Sequence, residues 1–334
     1  MPLALCCMSH SPLLEITRQR AELEADIDSA IGSARRFVAD FGPDVVVVFV
    51  PDHYNGFFHR LMPQFCIGTR ARTVGDYDSA AGALDVPEQL AADLARGVLD
   101  AGVDIAFSRR MELDHATAQP LTALFGALDA RPVVPVFVNA AAEPRSPLRR
   151  SRALGAAIGG FFADRPEKVL VLGSGGLSHD PPMPTLETAP PPILERIVEG
   201  RPLTQAEAEG KHAGAIAEGA RLAAGTSERM PLSPDWDRAF LDLLAGPGLD
   251  ELDQWTDEDI GRHGCGAHEI RTWVAAHAAL AEHGPYEVID RYYRPVPEYI
   301  AGFAVTTARP REAARSGGAA RPSGSAPSRE EESV

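Results

Sequence analysis

Val45-Val46-Val47-Val48-Phe49-Val50-Pro51-Asp52-His53 decides the fold. Six consecutive apolar residues, mostly β-branched, are too short for a buried helix and lack the alternation of a strand with one wet face. They read as a strand covered on both sides, the kind found in parallel sheets flanked by helices. Immediately upstream, Leu23, Ile27, Ala30, Ile31, Ala34, Phe37, Val38 and Phe41 recur at helical intervals, and Gly42-Pro43 closes the helix they imply. Further back stands a second apolar run, Leu3–Met8, which completes a βαβ unit. Downstream the alternation continues with a helix around Pro87–Ala101, a strand at Asp104–Phe107, a helix within Thr117–Leu128, a strand at Val133–Val138, a helix over Arg152–Phe162 and a strand at Val169–Leu172. This pattern predicts a three-layer α/β/α architecture with a mostly parallel or mixed central sheet. After the Gly173–Pro184 loop the signal turns helical, through Gln205–Ala223, Asp235–Leu244 and Glu269–Ala281, so the C-terminal part is expected to be helical. Residues 1–308 read as a single catalytic domain. Residues 309–334 are small, polar and aperiodic, and read as a disordered tail. The arginines of Arg145–Arg152 read as a solvated loop and helix start.

Composition narrows the partners. The 334 residues carry a formal charge of −15, which argues against nucleic acid and anionic membrane, since both need a positive footprint. No apolar run approaches the roughly 18–20 residues of a membrane span, and the N-terminus lacks a basic, hydrophobic leader, so a cytoplasmic protein is expected. Cys6, Cys7, Cys66 and Cys265 show no C-x-x-C spacing and read as reduced and buried. An anionic substrate would have to meet a local cation working against the global field.

Four of the apolar runs lead to histidines. Leu3–Met8 reaches His10, Val45–Val50 reaches His53, Asp104–Phe107 is followed by His115, and Val169–Leu172 by His179. In open α/β sheets ligands bind beyond the carboxyl ends of the strands, so these side chains are expected at one site. The Gly173-Ser174-Gly175-Gly176 segment satisfies neither phosphate-loop fingerprint nor G-x-S-x-G, and reads as backbone that passes close to a ligand. Glu269 falls on the stripe of Trp273, Ala276 and Leu280, an apolar setting in which a carboxylate needs a cap, an arginine or a cation. Alone, His10 reads more readily as a hydrogen-bonded structural residue than as a ligand, and His179 equally as a loop histidine bonded to backbone. Together, two neutral imidazoles and one carboxylate form the facial triad of non-haem Fe(II) oxygenases, here His10, His53 and Glu269, with His115 and His179 left for acid–base work. Zinc accepts the same ligands, which keeps a zinc-dependent hydrolase as the alternative, although H-E-x-x-H is absent after His268-Glu269. A non-catalytic relative would be expected to have lost one of these five positions.

Ser9-His10-Ser11-Pro12, Pro51-Asp52-His53-Tyr54-Asn55-Gly56-Phe57-Phe58, Asp114-His115 with Gln119-Pro120-Leu121, Leu172 through His179, and His268-Glu269-Ile270 with Thr272–Ala276 resemble the class III extradiol ring-cleavage dioxygenases. The resemblance runs from Met1 to about Thr307 and includes Arg291–Pro295 and Ile300–Phe303. It implies Fe(II), dioxygen and a catechol with a carboxyalkyl side chain, 2,3-dihydroxyphenylpropionate or 2,3-dihydroxycinnamate, opened beside its two hydroxyls. Carried over by position, it implies His10, His53 and Glu269 as iron ligands, His115 as proton donor and His179 as proton acceptor. It also implies a homo-oligomer, a tetramer. For the substrate itself, Tyr54, Phe57 and Phe58 are candidates for the ring pocket, and Arg271, Arg291 and Arg294 for the carboxylate.

Overall fold

A computed structural model describes residues 3–311. Eleven strands are formed: β1 (Leu3–Met8), β2 (Val45–Val50), β3 (Phe65–Gly68), β4 (Ala71–Val74), β5 (Ala81–Ala83), β6 (Ala106–Ser108), β7 (Met111–Leu113), β8 (Val133–Val138), β9 (Val169–Ser174), β10 (Tyr286–Val296) and β11 (Ala301–Pro310). The main helices are α1 (Leu13–Ile16), α2 (Ala21–Phe41), α3 (Glu88–Asp100), α4 (His115–Phe125), α5 (Leu148–Phe162), α6 (Pro191–Glu199), α7 (Gln205–Ala223), α8 (Pro234–Ala245), α9 (Asp257–Gly261) and α10 (Ile270–Ala281).

The central sheet has the order β10-β11-β1-β9-β2-β8-β3-β6. Its middle, β1-β9-β2-β8, is parallel, whereas β11 runs antiparallel to β1 and β3 antiparallel to β8. The expected mixed, three-layer arrangement is therefore present. Alternate residues of the apolar strands feed two separate cores. Val45, Val47 and Phe49 pack with Leu154, Ile158 and Trp273 on one face, and Val46, Val48 and Val50 with Ile27, Ala34 and Val38 on the other. Helix α10 reaches its place against α5 through two glycines. A Cβ at Gly155 would stand 2.0 Å from the Ala275 carbonyl oxygen, and one at Gly159 would stand 2.3 Å from that of Ala279.

Several expectations need correction. The C-terminal part is not simply helical, because β10 and β11 form a long antiparallel pair and β11 inserts beside β1. Their proline, tyrosine and arginine content hid the alternation, and pairing with an already buried strand overrode it. Arg309 and Pro310 lie in β11, paired with Glu287 and Tyr286, so the supposed tail does not begin at residue 309. The rest of the expected tail, from residue 312, lies outside the described residues. Arg145 and Arg152 are not merely solvated: Arg145 bonds Asp257 at 3.2 Å, and Arg152 pairs with Asp253. The strand before His115 is β7, in a separate β5-β4-β7 sheet, and not the Asp104–Phe107 run. Cys6, Cys7 and Cys66 are buried, Cys265 is partly exposed, and all four are free thiols.

Candidate active site

The parallel register explains why distant segments meet. Met8 of β1 is paired with Ser174 of β9, and Phe49 of β2 with Gly173, so the loops leaving these three strands emerge side by side. His10 and His53 flank the Gly175-Gly176 turn, and α10 delivers Glu269 beneath it. Gly175 has φ of 138°, and a Cβ there would lie 2.7 Å from the Glu269 Cβ. Glycine is required for the strand end to pass over the carboxylate. Trp273 Nε1 donates to the Gly175 carbonyl at 2.8 Å, and Thr272 Oγ1 donates to that of Ser174 at 2.8 Å, which locks the helix to the loop.

All four histidines are anchored through Nδ1. His10 Nδ1 lies 3.0 Å from Ser174 Oγ, which donates to the Ala116 carbonyl and so accepts from the imidazole. His53 uses both its backbone N and Nδ1 on Asp114 Oδ2, each at 2.8 Å. His115 does the same with Asp76, at 2.7 Å to Oδ1 and 2.8 Å to Oδ2. His179 Nδ1 donates to the Leu177 carbonyl at 2.9 Å. Fixing one ring nitrogen leaves Nε2 as the working atom and sets the ring orientation, which is how ligating histidines are prepared. The rings converge: centroids of His10 and His53 are 5.4 Å apart, His10 and His115 5.2 Å, His53 and His115 4.8 Å.

Glu269, 2% exposed, stands among the free nitrogens. Its Oε1 is 3.0 Å from His53 Nε2 and 3.4 Å from His179 Nε2, and its Oε2 is 3.5 Å from His10 Nε2 and accepts from Gly176 N at 2.8 Å. Adjacent ligands on one divalent ion, with bonds of about 2.1 Å, stand about 3 Å apart at right angles. The donor set of His10, His53 and Glu269 therefore fits such an ion. Ring nitrogens of His10, His53 and His115 also lie within 4.8 Å of one another, so the nitrogen cluster extends to His115. Asp76 and Asp114, each bound to an imidazole, add negative charge around the centre.

Electrostatics follow from burial against these pairings. Burial holds His10 down at about 3 despite Glu269, so it is a neutral donor. Burial opposes protonation of His53 too, but Asp114 and Glu269 outweigh it and raise its pKa well above the usual value. His179 is likewise raised, since the Glu269 charge and hydrogen bond and the Leu177 carbonyl overcome desolvation. Burial alone would raise Glu269, yet His179, His10 and His53 hold it well below the usual carboxylate range. A cation bound at Glu269 reverses this logic, because it competes with the protons on the same atoms.

The five positions read from the sequence thus come together, and the remaining candidates do not. Tyr54 is buried away from the cavity, its hydroxyl 3.1 Å from His59 Nε2 and its ring packed against Ile197 and Ala142. Phe57 stacks on Phe137 at 3.7 Å, and Phe58 packs against Gly200. Asp52 does not orient His53 but caps the turn, accepting from Asn55, Gly56 and Phe57. Arg271 is fully buried and spent on Asp257, the Ser146 carbonyl and His268. Arg291 pairs with Asp242 and Arg294 with Asp26, each at 2.7 Å, and neither lines the cavity. Sequence reasoning missed Asp76, Tyr77 and Lys211. Asp76 sits 39 residues before the histidine it holds, and no spacing rule links them. Tyr77, at φ of 52°, sets its ring nearly perpendicular to that of His115, with centroids 5.1 Å apart. The cavity is bounded by the four histidines, Tyr77 and Lys211 and by an apolar wall that includes Pro181, Pro182, Met183 and Ile300.

Comparison with known proteins agrees with this geometry. The chain is 56% identical over 312 residues to the 2,3-dihydroxyphenylpropionate/2,3-dihydroxicinnamic acid 1,2-dioxygenase of Mycolicibacterium paratuberculosis, covering 93% of this chain and 100% of that one. It is 57% identical over 307 residues to the protein of the same name from Mycolicibacterium vanbaalenii, covering 92% and 97%. A Rhodococcus protein of that name is 49% identical over 92% of this chain and 98% of its own length. Residues 4–304 match the family described as the catalytic LigB subunit of aromatic ring-opening dioxygenase. The match spans nearly every element and all five site residues, and the chain belongs to that family of ring-opening dioxygenases.

Proposed function

We propose that this protein cleaves the ring of a catechol bearing a carboxyalkyl side chain, 2,3-dihydroxyphenylpropionate or 2,3-dihydroxycinnamate, by the extradiol route, in the breakdown of phenylpropanoid aromatics. Both atoms of dioxygen enter a 2-hydroxy-6-oxo-nona-dienedioate. The observation that carries this reading is the convergence of His10, His53 and His179 Nε2 on the buried Glu269 carboxylate, with these three histidines and His115 lining one apolar cavity. The names of the relatives supply the substrate.

Fe(II) fits the His10, His53 and Glu269 donors, and when bound it supplies chelation of the catechol oxygens and activation of dioxygen. His179, adjacent to Glu269 with its Nδ1 occupied, is placed to accept the hydroxyl proton at Nε2. His115 stands across the cavity with Nδ1 on Asp76, placed to donate a proton from Nε2 to the oxygen released as the O–O bond of dioxygen breaks and the ring carbon migrates. Tyr77 and the proline-rich wall orient the ring and exclude water. We also propose a homotetramer, which the sequence resemblance implies, and a cytoplasmic location.

The test is a spectrophotometric assay with 2,3-dihydroxyphenylpropionate, oxygen and protein loaded anaerobically with Fe(II). A yellow ring-fission product that scales with iron content is expected. Stoichiometric zinc with no dependence on iron would overturn the assignment.

A further inference from the structure

Arg271, Arg291 and Arg294 are all paired away from the cavity, which leaves the substrate's side-chain carboxylate without a partner among them, in a protein whose net charge repels anions. Three cations border the site's cavity and the outer chamber that continues it: Lys211, Arg196 and Arg229. Only Lys211, on α7, lines both. Arg196 donates to the Tyr54 carbonyl at 2.7 Å, and Arg229 donates to the Pro181 carbonyl at 3.1 Å and lies 3.7 Å from Asp180. The Lys211 ammonium is buried and makes no hydrogen bond. Its nearest carboxylate is Asp76 Oδ2 at 3.8 Å, beyond hydrogen-bond reach. Both Asp76 oxygens are already spent on His115, and Asn55 approaches the second at 3.3 Å. The ammonium lies 4.7 Å from the centroid of Tyr77, whose ring centroid is 5.1 Å from that of His115.

An ammonium with three unused donors, beside an aromatic ring and a carboxylate already bonded to His115 and Asn55, is left for a ligand to complete. Building on the proposed reaction, we propose that Lys211 receives the carboxylate of the substrate's side chain and is a specificity-determining residue. An extended propionate carries its carboxyl carbon about 4 Å from the ring by ordinary bond lengths. Lys211 is two contacts from His115, through Asp76, so a catechol held at the metal-binding donors has a short span to bridge. A charge-assisted hydrogen bond there orients the ring and selects carboxyalkyl over alkyl catechols.

The experiment compares kcat/KM for 2,3-dihydroxyphenylpropionate and for 3-propylcatechol, which lacks the carboxylate, in iron-loaded wild type, Lys211→Met and Lys211→Arg. The ratio of the two is expected to fall about 10- to 100-fold in Lys211→Met, through KM for the acid rather than kcat, and to be largely retained in Lys211→Arg. Preference for the acid in wild type that persists in Lys211→Met would overturn the role of Lys211. Wild type that cleaves both catechols without preference would overturn the carboxylate reading as well. Wild type that cleaves neither would overturn the proposed function itself.

Discussion

At the residue scale, the site depends on what holds each imidazole as much as on the imidazoles. Asp114 caps α4 through Ala116 N and carries His53 on its other oxygen, so one side chain fixes a helix start and a ring together. Asp114→Asn leaves a cap but weakens the grip on Nδ1, and metal affinity is expected to drop about 10- to 100-fold, measured by chelator competition. Glu269→Ala is expected to abolish stoichiometric iron, whereas His179→Gln keeps iron and loses ring cleavage; normal iron in Glu269→Ala would refute the ligand set. His53 has a raised pKa and must shed its proton to ligate, so metal affinity is expected to rise with pH and fall on acidification, as titration at pH 6 and pH 8 would show. His10, His53 and His179 were legible because each follows an apolar run that forms a central strand, whereas the strand that precedes His115 is the short β7 and not the run read for it. Asp76, Tyr77 and Lys211 were not, because nothing in their neighbourhoods marks them; only the tertiary fold brings residues 76, 115 and 211 into one chain of contacts.

At the scale of elements, α10 links the core to the chemistry. Its N-terminal turn presents Glu269, its body fills the core with Trp273, and its back lies against the glycines of α5. Gly155→Val would force a side chain into the Ala275 carbonyl and is expected to destabilise the protein by several kcal/mol, read by urea unfolding, with loss of iron in what remains folded. The same helix carries a pH-sensitive group. His277 is buried, and burial lowers its pKa to about 4, with the Trp273 carbonyl opposing. A histidine depressed in the folded state stabilises it above the unfolded value near 6.5, and that contribution is lost as pH falls toward 4. The loss of stability between pH 7.5 and pH 5 is expected to be about 2 kcal/mol smaller in His277→Leu than in wild type. Equal losses would show that His277 does not titrate with unfolding. The α2 helix and the parallel strands were readable because period and burial agree there. Strands β3, β4, β5 and β7 were not, because three or four residues carry no periodicity, whereas β6 falls within one residue of the end of the expected Asp104–Phe107 strand although it is largely exposed.

At the scale of the whole molecule, sequence order and spatial order diverge most where β11, the last described strand, lies against β1, the first. The Met8–Val305 pairing and the Ser9 backbone bond to Ala304 fix the loop that carries His10, so the far end of the chain sets the position of a proposed ligand. A chain ending at Gly284 is expected to fail to fold cooperatively, shown by loss of a sharp thermal transition in circular dichroism. Helical pattern alone could not foresee this closure, because β10 and β11 gain their stability from pairing and not from a local signal.

The central claim, that these donors assemble a ring-opening dioxygenase, is tested most directly by turnover of 2,3-dihydroxyphenylpropionate under ¹⁸O₂ with iron-loaded protein and mass analysis of the product. Two heavy oxygens in each ring-opened molecule are predicted, apart from any exchanged with water. Iron-loaded protein that consumes no labelled oxygen, or yields a product with its ring intact, would contradict it.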